Sequence, residues 1–400
     1  MMIVGFLLIK SLLILLALPA GYLLMSTIAS YFFKKEEPIS NQFLNIGVLI
    51  PAHNEEEGIK RTIENILGSD YPANRFELFV IADNCTDSTA TNAREAGAQV
   101  FERFNELKRG KGEALDWFLK NCKENYQATN AITIIDADVC PDKNYLREIS
   151  ASLSNPEIEA VQAFNGVSNP QAGWRTALID AAFNVFNHLR MAGSFRMSGS
   201  AILRGNGMGF RTELLEHYGW PSHSIVEDIE FTLILLKDGI NIHYNPDAVI
   251  RSEMVTSAKN ASSQRNRWEG GRFMLVKNMS LPLLRLFKES RDFRYLYALA
   301  ELAIPPLSIL VMLFTLATVG SIALDAVWQF LAASFWAILL VYLASGQIQR
   351  RASLSTWLYL ATAPLYVLWK IPIYMGMMLK NKTNEWVRTT RETSNKSSNC

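Results

Sequence analysis

Apolar positions are distributed unevenly along this chain. Residues 2–33, and much of the chain from about residue 296 onward, are strongly apolar, whereas the stretch between alternates short apolar runs with amphipathic ones. In that middle, NIGVLIP (45–51) is a short apolar run ending in proline, which predicts a buried strand. HNEEEGIKRTIENILG predicts a helix capped by Asn54, with Glu57 three residues on and Gly68 as its stop. FELFVIAD (76–83) predicts a second strand, DSTATNAREAG a helix stopped by Gly97, and AQVFER (98–103) a third strand. A glycine-rich turn opens the helix of GKGEALDWFLKNCKE; AITIIDAD (131–138) and IEAVQAF (158–164) predict the fourth and fifth strands. Short alternation of strand and helix predicts an α/β fold, a mostly parallel sheet with helices on both faces. In such sheets ligands gather at the carboxyl ends of the strands.

The flanking blocks predict membrane helices. SLLILLALPAGYLLMSTIASYFF (11–33) exceeds the roughly 20 apolar residues that cross a bilayer, and reads as an uncleaved anchor rather than a signal peptide. Lys34 and Lys35 follow at once, which places the middle of the chain in the cytosol. Later apolar runs cover about 296–324, with Pro305 and Pro306 inside, 326–345, and 354–379. Arg350, Arg351 and the basic tail all favour the cytosolic side, which requires the third run to be re-entrant or interfacial; the alternative is an ordinary span with the tail outside. LPLLRLFKESRDFRYLY mixes Leu and Phe with Arg285, Lys288, Arg291 and Arg294, as in a helix lying on an anionic leaflet or an exposed helix of the middle domain. The expected division is an anchor at 1–35, a cytosolic domain at 44–278, an interfacial helix at 279–295, membrane or re-entrant helices at 296–379, and a basic cytosolic tail at 380–400. The expected location is the plasma or inner membrane.

Composition adds limits. Apolar residues make up 49% and the mean hydropathy is +0.08, an excess confined to the flanks. A net charge of +1 gives no field for a nucleic-acid partner. Cys85, Cys122, Cys140 and Cys400 form no close pair, so reduced thiols are expected, with neither a disulfide framework nor a zinc site.

The strand ends carry the candidate chemistry. In extended backbone Asp136 and Asp138 point the same way, so they either bind a hard cation such as Mg²⁺ or Mn²⁺ together with a diphosphate, or form a solvated turn. Asp83 ends the second strand, where a carboxylate can accept a base N–H or cap the next helix. Lys111, in a glycine-flanked turn, either reaches a phosphate or is a surface lysine. GNGMG (205–209) is not a dinucleotide fingerprint, since no strand-turn-helix unit surrounds it; its glycines let backbone approach a bulky ligand. Glu227 and Asp228 open an apolar helix-like run, as a general base with its neighbour or as acids favoured by the helix dipole. In SQRNRWEGGR, Trp268 sits among charged and amide side chains, either a surface patch or a seat for a sugar ring.

Taken in order, IPAHNEE, IADNCTD, GKGEALD, IDADV, GNGMGFR, VEDIEFT and QRNRW, followed by apolar helices, resemble the family-2 glycosyltransferases of the GT-A fold over residues 44–278. The resemblance is to the membrane-embedded branch with cellulose, chitin, hyaluronan and poly-N-acetylglucosamine synthases. It implies that Pro51, Asn54, Glu55, Asp83, Lys111, Asp136, Ala137 and Asp138 bind a nucleotide sugar. Asp83 would meet the uracil, Asp136 the ribose and diphosphate, and Asp138 the Mg²⁺ or Mn²⁺. Asp228 would take the acceptor proton, while Glu227, Gln264, Arg267 and Trp268 would line the acceptor and diphosphate. EWVRTTR resembles a C-terminal gating segment, which gives Trp386, Arg388, Thr389 and Arg391 contacts to the nucleotide; the alternative is a basic tail. Two departures, Ala82 before Asp83 and His53 in place of tyrosine, bear on nucleotide preference. The implied function is an inverting transfer from UDP-glucose or UDP-N-acetylglucosamine to a growing polysaccharide or other saccharide, forming β-linkages for the cell envelope. The alternative is one transfer to a lipid acceptor. The expected partners are the donor, the acceptor, the bilayer and an export partner, since three or four spans are few for a pore. A non-catalytic scaffold would not need the acidic motifs.

Overall fold

The computed structural model describes the backbone of residues 2–35, 42–222, 224, 226–255 and 258–379, with the side chains of 2, 258–270, 272, 273, 375 and 377–379 outside the description. A helix, α1 (Met2–Tyr31), leads into an α/β unit: β1 (Ile46–Ala52), α2 (Ile59–Leu67), β2 (Phe76–Asp83), α3 (Thr89–Glu95), β3 (Gln99–Arg103), α4 (Lys111–Asn121), α5 (Lys123–Tyr126), β4 (Ala131–Ile134), β5 (Val139–Pro141), α6 (Tyr145–Leu153) and β6 (Ala160–Val167). Then come α7 (Trp174–Phe183), a π-helical stretch (Asn184–Leu189), α8 (Arg190–Ser198), β7 (Met208–Arg211), α9 (Thr212–Tyr218), α10 (Glu227–Lys237) and β8 (Ile242–Ser252). The remainder is helical: α11 (Ala258–Ser290), α12 (Phe293–Ala303), α13 (Leu307–Ser321), α14 (Ala326–Gln349), α15 (Leu354–Tyr359) and α16 (Ala363–Leu379).

The eight strands form one sheet in the order β3-β2-β1-β4-β7-β6-β8-β5. β3, β2, β1 and β4 are mutually parallel, β7 is antiparallel to β4 and β6, and β8 is parallel to β6 but antiparallel to β5. The central β1 and β2 are apolar along nearly their whole length because both faces are covered. One face packs Ile59, Ile63, Leu146 and Ile149 of α2 and α6; the other packs Leu115, Phe118, Leu214 and Phe231 of α4, α9 and α10. The carboxyl ends of β1–β4 and the amino end of β7 therefore share one edge.

Two local expectations change. The fourth strand stops at Ile134, and Asp136, Ala137 and Asp138 lie on the connection to β5, where the chain turns to join β8. Asn54 does not cap a helix: α2 starts at Ile59, and Asn54 takes a φ of 54° with its Oδ1 accepting from the Thr86 amide at 2.8 Å. Cys85 and Cys122 are free thiols.

Among the described residues two helices, Ile3–Tyr31 and Ala326–Gln349, are long and apolar enough to cross a membrane. α12 and α13 bend by 76° at the break containing Pro305 and Pro306, and count as a third if the pair is one span. The segment expected at 279–295 is divided: α11 continues to Ser290, Arg291 takes a φ of 58°, and α12 begins at Phe293. Glycines set the closest helix crossings. A Cβ on Gly193 of α8 would lie 2.9 Å from Ser26 Cα of α1, one on Gly320 of α13 2.9 Å from Ile9 Cγ1, and one on Gly346 of α14 2.5 Å from Val185 Cγ1.

Gly193→Ala should therefore cost about 1–3 kcal/mol by overpacking, read as a lower melting temperature in detergent. Gly5→Ala, whose Cβ meets nothing within 4 Å, should be neutral or stabilising. Equal melting temperatures for the two variants would contradict the tight α1–α8 crossing.

Candidate active site

The shared sheet edge assembles first around Asp83. Asp83 ends β2 directly opposite Arg103, the last residue of β3. Arg103 Nη1 donates to Asp83 Oδ1 at 2.5 Å, Asn84 Nδ2 donates to the same oxygen at 3.0 Å, and both members of the pair are buried. Arg103 Nη2 also donates to the Lys108 carbonyl at 2.7 Å, which ties the loop before Lys111 to the carboxylate. The loop after β1 is stitched to the loop after β2: His53 Nδ1 lies 2.7 Å from the Asp83 carbonyl, and the Glu55 amide donates to Thr89 Oγ1 at 2.7 Å. Pro51, near the end of β1, pairs with Ile81 in the ladder. Pro51, Asn54, Glu55 and Asp83 are thus brought to one side of the edge.

A second group forms around Lys111, the first residue of α4. Its Nζ donates to Asp136 Oδ1 at 2.6 Å and to the Gly205 carbonyl. Asn206 Oδ1 accepts from the Asp136 amide at 3.2 Å. Gly205 has a φ of +73°, and a Cβ there would lie 3.2 Å from Asp228 Oδ2, so the glycine lets this loop approach the start of α10. Asp228 Oδ1 accepts from the Ile229 amide at 2.8 Å. Thr232 Oγ1 donates to the Asp228 carbonyl at 3.0 Å and accepts from the Leu203 amide at 3.0 Å, closing the loop onto the helix. The connection after β4, the α4 start, the glycine loop and the α10 start therefore meet in one place.

The electrostatics follow from three carboxylates sharing that place. Burial pushes Glu227 well above the usual carboxylate range, the Asp228 charge adds to this, and Lys111 opposes it. Burial also raises Asp228, against the Ile229 amide, Lys111 and Arg204, which favour its charged form. Burial alone would lower Lys111, but Asp136, Glu227 and Asp228 outweigh it and its pKa is raised.

Asp136 and Asp138 are half-exposed around a buried Ala137, whose carbonyl accepts from Thr62 Oγ1 at 2.9 Å. Among the described residues no group of three or more His, Cys, Asp or Glu could hold a metal ion. Two accessible carboxylates suit a hard cation that takes its other ligands from phosphate and water, as Mg²⁺ does. Gln264, Arg267 and Trp268 lie on α11, with side chains outside the description. Trp386, Arg388, Thr389 and Arg391 lie outside the described residues. Sequence reasoning missed Arg103 and Arg204. The signal for Arg103 was a basic residue ending the strand after the one that Asp83 ends; Arg204 carried none, since its partners come from distant helices.

Residues 44–271 match the profile of the family described as Glycosyltransferase like family 2. The chain is 26% identical over 262 residues to the probable glycosyltransferase YdaM of Bacillus subtilis, covering 63% of this chain and 61% of the relative. It is 28% identical over 237 residues to the beta-monoglucosyldiacylglycerol synthase of Nostoc sp., covering 56% and 48%. It is 27% identical over 267 residues to a poly-beta-1,6-N-acetyl-D-glucosamine synthase of Staphylococcus epidermidis, covering 62% of each. The chain spans about half to three-fifths of the length of these curated relatives. Its fold resembles that of the mannosyltransferase PcManGT from Pyrobaculum calidifontis, solved with GDP-Man and Mn²⁺, at a TM-score of 0.57 and 18% identity, covering 91% of this chain and 99% of that one.

The buried Asp83–Arg103 pair gives a stability prediction. Arg103→Met leaves a buried carboxylate without its partner and should cost about 3–5 kcal/mol. Adding Asp83→Leu should recover most of the loss, since a buried pair replaced by apolar groups is close to neutral. Thermal unfolding of the single and double variants measures both; a single variant as stable as the parent would refute the coupling.

Proposed function

The chain belongs to the glycosyltransferase-like family 2, and from that premise we propose that it is a membrane-bound inverting glycosyltransferase with a nucleotide-sugar donor. The observation that carries the proposal is the meeting of Lys111 with Asp136 at 2.6 Å and with the Gly205 carbonyl, where the loop packs on Asp228. Donor-side and base-side groups then lie on opposite sides of one loop.

In this reading Asp83 addresses the base, its carboxylate held by Arg103. Asp136 and Asp138 hold Mg²⁺ or Mn²⁺, which supplies charge neutralisation of the diphosphate when bound. Lys111 turns from Asp136 to the diphosphate, so a positive charge already in place meets the leaving group. Asp228 accepts the proton of the acceptor hydroxyl as that oxygen attacks the anomeric carbon, and the bond to the diphosphate breaks on the opposite face. An α-linked donor thus gives a β-linked product. Glu227, whose burial favours its neutral form, limits the charge beside the base. Gln264, Arg267 and Trp268 are assigned to the acceptor side, and Trp386, Arg388, Thr389 and Arg391 to closure over the nucleotide. The donor-binding domain lies in the cytosol, with α1 and α14 in the membrane.

The acceptor has two readings. A growing saccharide is the first, in line with the poly-N-acetylglucosamine synthase relative. A lipid hydroxyl is the second, favoured by the hydrogen bond of Arg204, beside Gly205, to Glu301 on a helix that leads into the apolar region, and by the glucosyldiacylglycerol synthase relatives. Incubation with labelled nucleotide sugar separates them: a size ladder supports the saccharide, a single organic-soluble product the lipid.

Asp228→Asn should lower transfer by at least about a hundredfold while leaving nucleoside diphosphate affinity nearly unchanged. Nucleotide release from nucleotide sugars, with calorimetry for binding, measures the two effects. Robust turnover by this variant would remove Asp228 from the base role.

A further inference from the structure

Away from the donor edge, the molecule buries a second charged group that the reaction described above does not use. Glu301 of α12 is almost fully enclosed and is approached from three directions. Tyr22 of α1 donates its hydroxyl to Oε1 at 2.7 Å. Arg190, the first residue of α8, donates Nε to Oε1 at 3.0 Å and Nη2 to Oε2 at 2.5 Å. Arg204, from the loop between α8 and β7, donates Nη2 to Oε2 at 3.1 Å. A carboxylate removed from water is retained only with such partners, and breaking such a cluster leaves charges uncompensated.

Arg204 connects this cluster to the base. Its own amide donates to Gln162 Oε1 at 2.8 Å, and Gln162 Nε2 donates to the Asn206 carbonyl at 2.8 Å, so the loop is gripped on both sides of Gly205. Gly205 packs on the Asp228 carboxylate, and Leu203 is bonded through Thr232 to the Asp228 backbone. The charged groups acting on Asp228 are Lys111, Arg204 and Glu227, from α4, the loop and α10, and Asp136 of the β4–β5 connection acts in turn on Lys111 and Glu227. Of these, Arg204 is the one tied to the helices of the apolar region.

We propose that Glu301 is a positioning residue for the transfer: through Arg204 it fixes the loop that packs on Asp228, so the membrane-side helices set the geometry of the base. The inference rests on the reading of Asp228 as the base. Glu301 touches no substrate. It acts by holding one guanidinium where that group both anchors the loop and favours the ionised base.

The test uses the full chain in detergent, with nucleoside diphosphate release followed against pH. Glu301→Gln should lower kcat about tenfold or more with the donor KM within about twofold, the pattern of a lost transition-state arrangement rather than lost binding. The acid limb of its kcat profile should also move to lower pH, because Arg204 without its countercharge bears more strongly on Asp228. A group with only a structural role would not move that limb. Since Glu301→Gln leaves the buried Arg190 and the partly buried Arg204 uncompensated, Tyr22→Phe is the second variant. It removes one hydrogen bond to Glu301 and no charge, and should lower kcat by about two- to fivefold at unchanged donor KM. Parent-like kcat and pH profiles in the variants that fold would overturn the inference alone. A parent that releases no nucleotide from any nucleotide sugar would overturn the underlying reading and the inference with it.

Discussion

Asp136, Glu227 and Asp228 converge at one edge of the sheet, and three carboxylates so close together repel one another and lose hydration on burial. Lys111 is the group that makes the arrangement tenable, since its ammonium bonds Asp136 and the Gly205 carbonyl and acts on both acids of α10. Its position is dictated by the chain around it. Gly110 takes a φ of +122°, which a side chain would resist, and α4 starts at once with Lys111 itself. Arg103 then fastens the preceding loop through the Lys108 carbonyl. The ion pair under Asp83 and the lysine over Asp136 are therefore parts of one construction: the buried pair fixes the loop, and the loop delivers the cation.

The helices outside the sheet are held by a different rule. In an apolar surrounding there is little hydrophobic gain from helix association, so small residues that let backbones approach and a few well-satisfied polar groups decide the packing. Gly193, Gly320 and Gly346 occupy the tight crossings. Buried Gln347 donates to the Ala181 carbonyl at 3.0 Å and accepts from Asn184 Nδ2 at 2.9 Å, fastening α14 to α7 and the π-helical stretch. A wider turn at Asn184–Leu189 bulges the helix where Gly346 leaves room for it, so the α7–α8 segment serves as the common floor for α1 and α14.

Those two rules explain which parts were legible in the sequence. The parallel strands were, because continuous apolar runs bounded by Gly, Pro and Asp have few other interpretations. β8 was not, although it is the longest strand. Its register with β6 shifts between Ala163 and Phe164, so that Asn245 and Val249 are successive partners and Pro246, Asp247 and Ala248 are left out of the ladder. A proline and an acid inside a strand read locally as a turn. The short β7 is hidden in a glycine-rich segment, and Asp136–Asp138 read as strand because Ile134 and Ile135 carry the apolar run right up to Asp136, although β4 ends at Ile134. Asp83 and Asp136 could be found because they end or follow apolar strands, Glu227 and Asp228 because they open an apolar helical run, and Lys111 because of its glycine-flanked turn. Arg204 could not: it and Glu301 are 97 residues apart, and nothing in either neighbourhood announces the other.

The cluster at Glu301 also bears on how a buried carboxylate can be ionised at Asp228. Two guanidinium groups against one buried carboxylate leave one positive charge in excess, with Arg190 fully buried and Arg204 partly exposed. That excess lies on the Arg204 side, next to the loop that packs on Asp228, and it acts with Lys111 against the desolvation that favours the neutral acid. Lys111 is also shared by Asp136 and Glu227, so Arg204 adds to its effect on Asp228. Anchoring the second cation to α1, α8 and α12 couples the electrostatics at Asp228 to the packing of those helices through the same few hydrogen bonds.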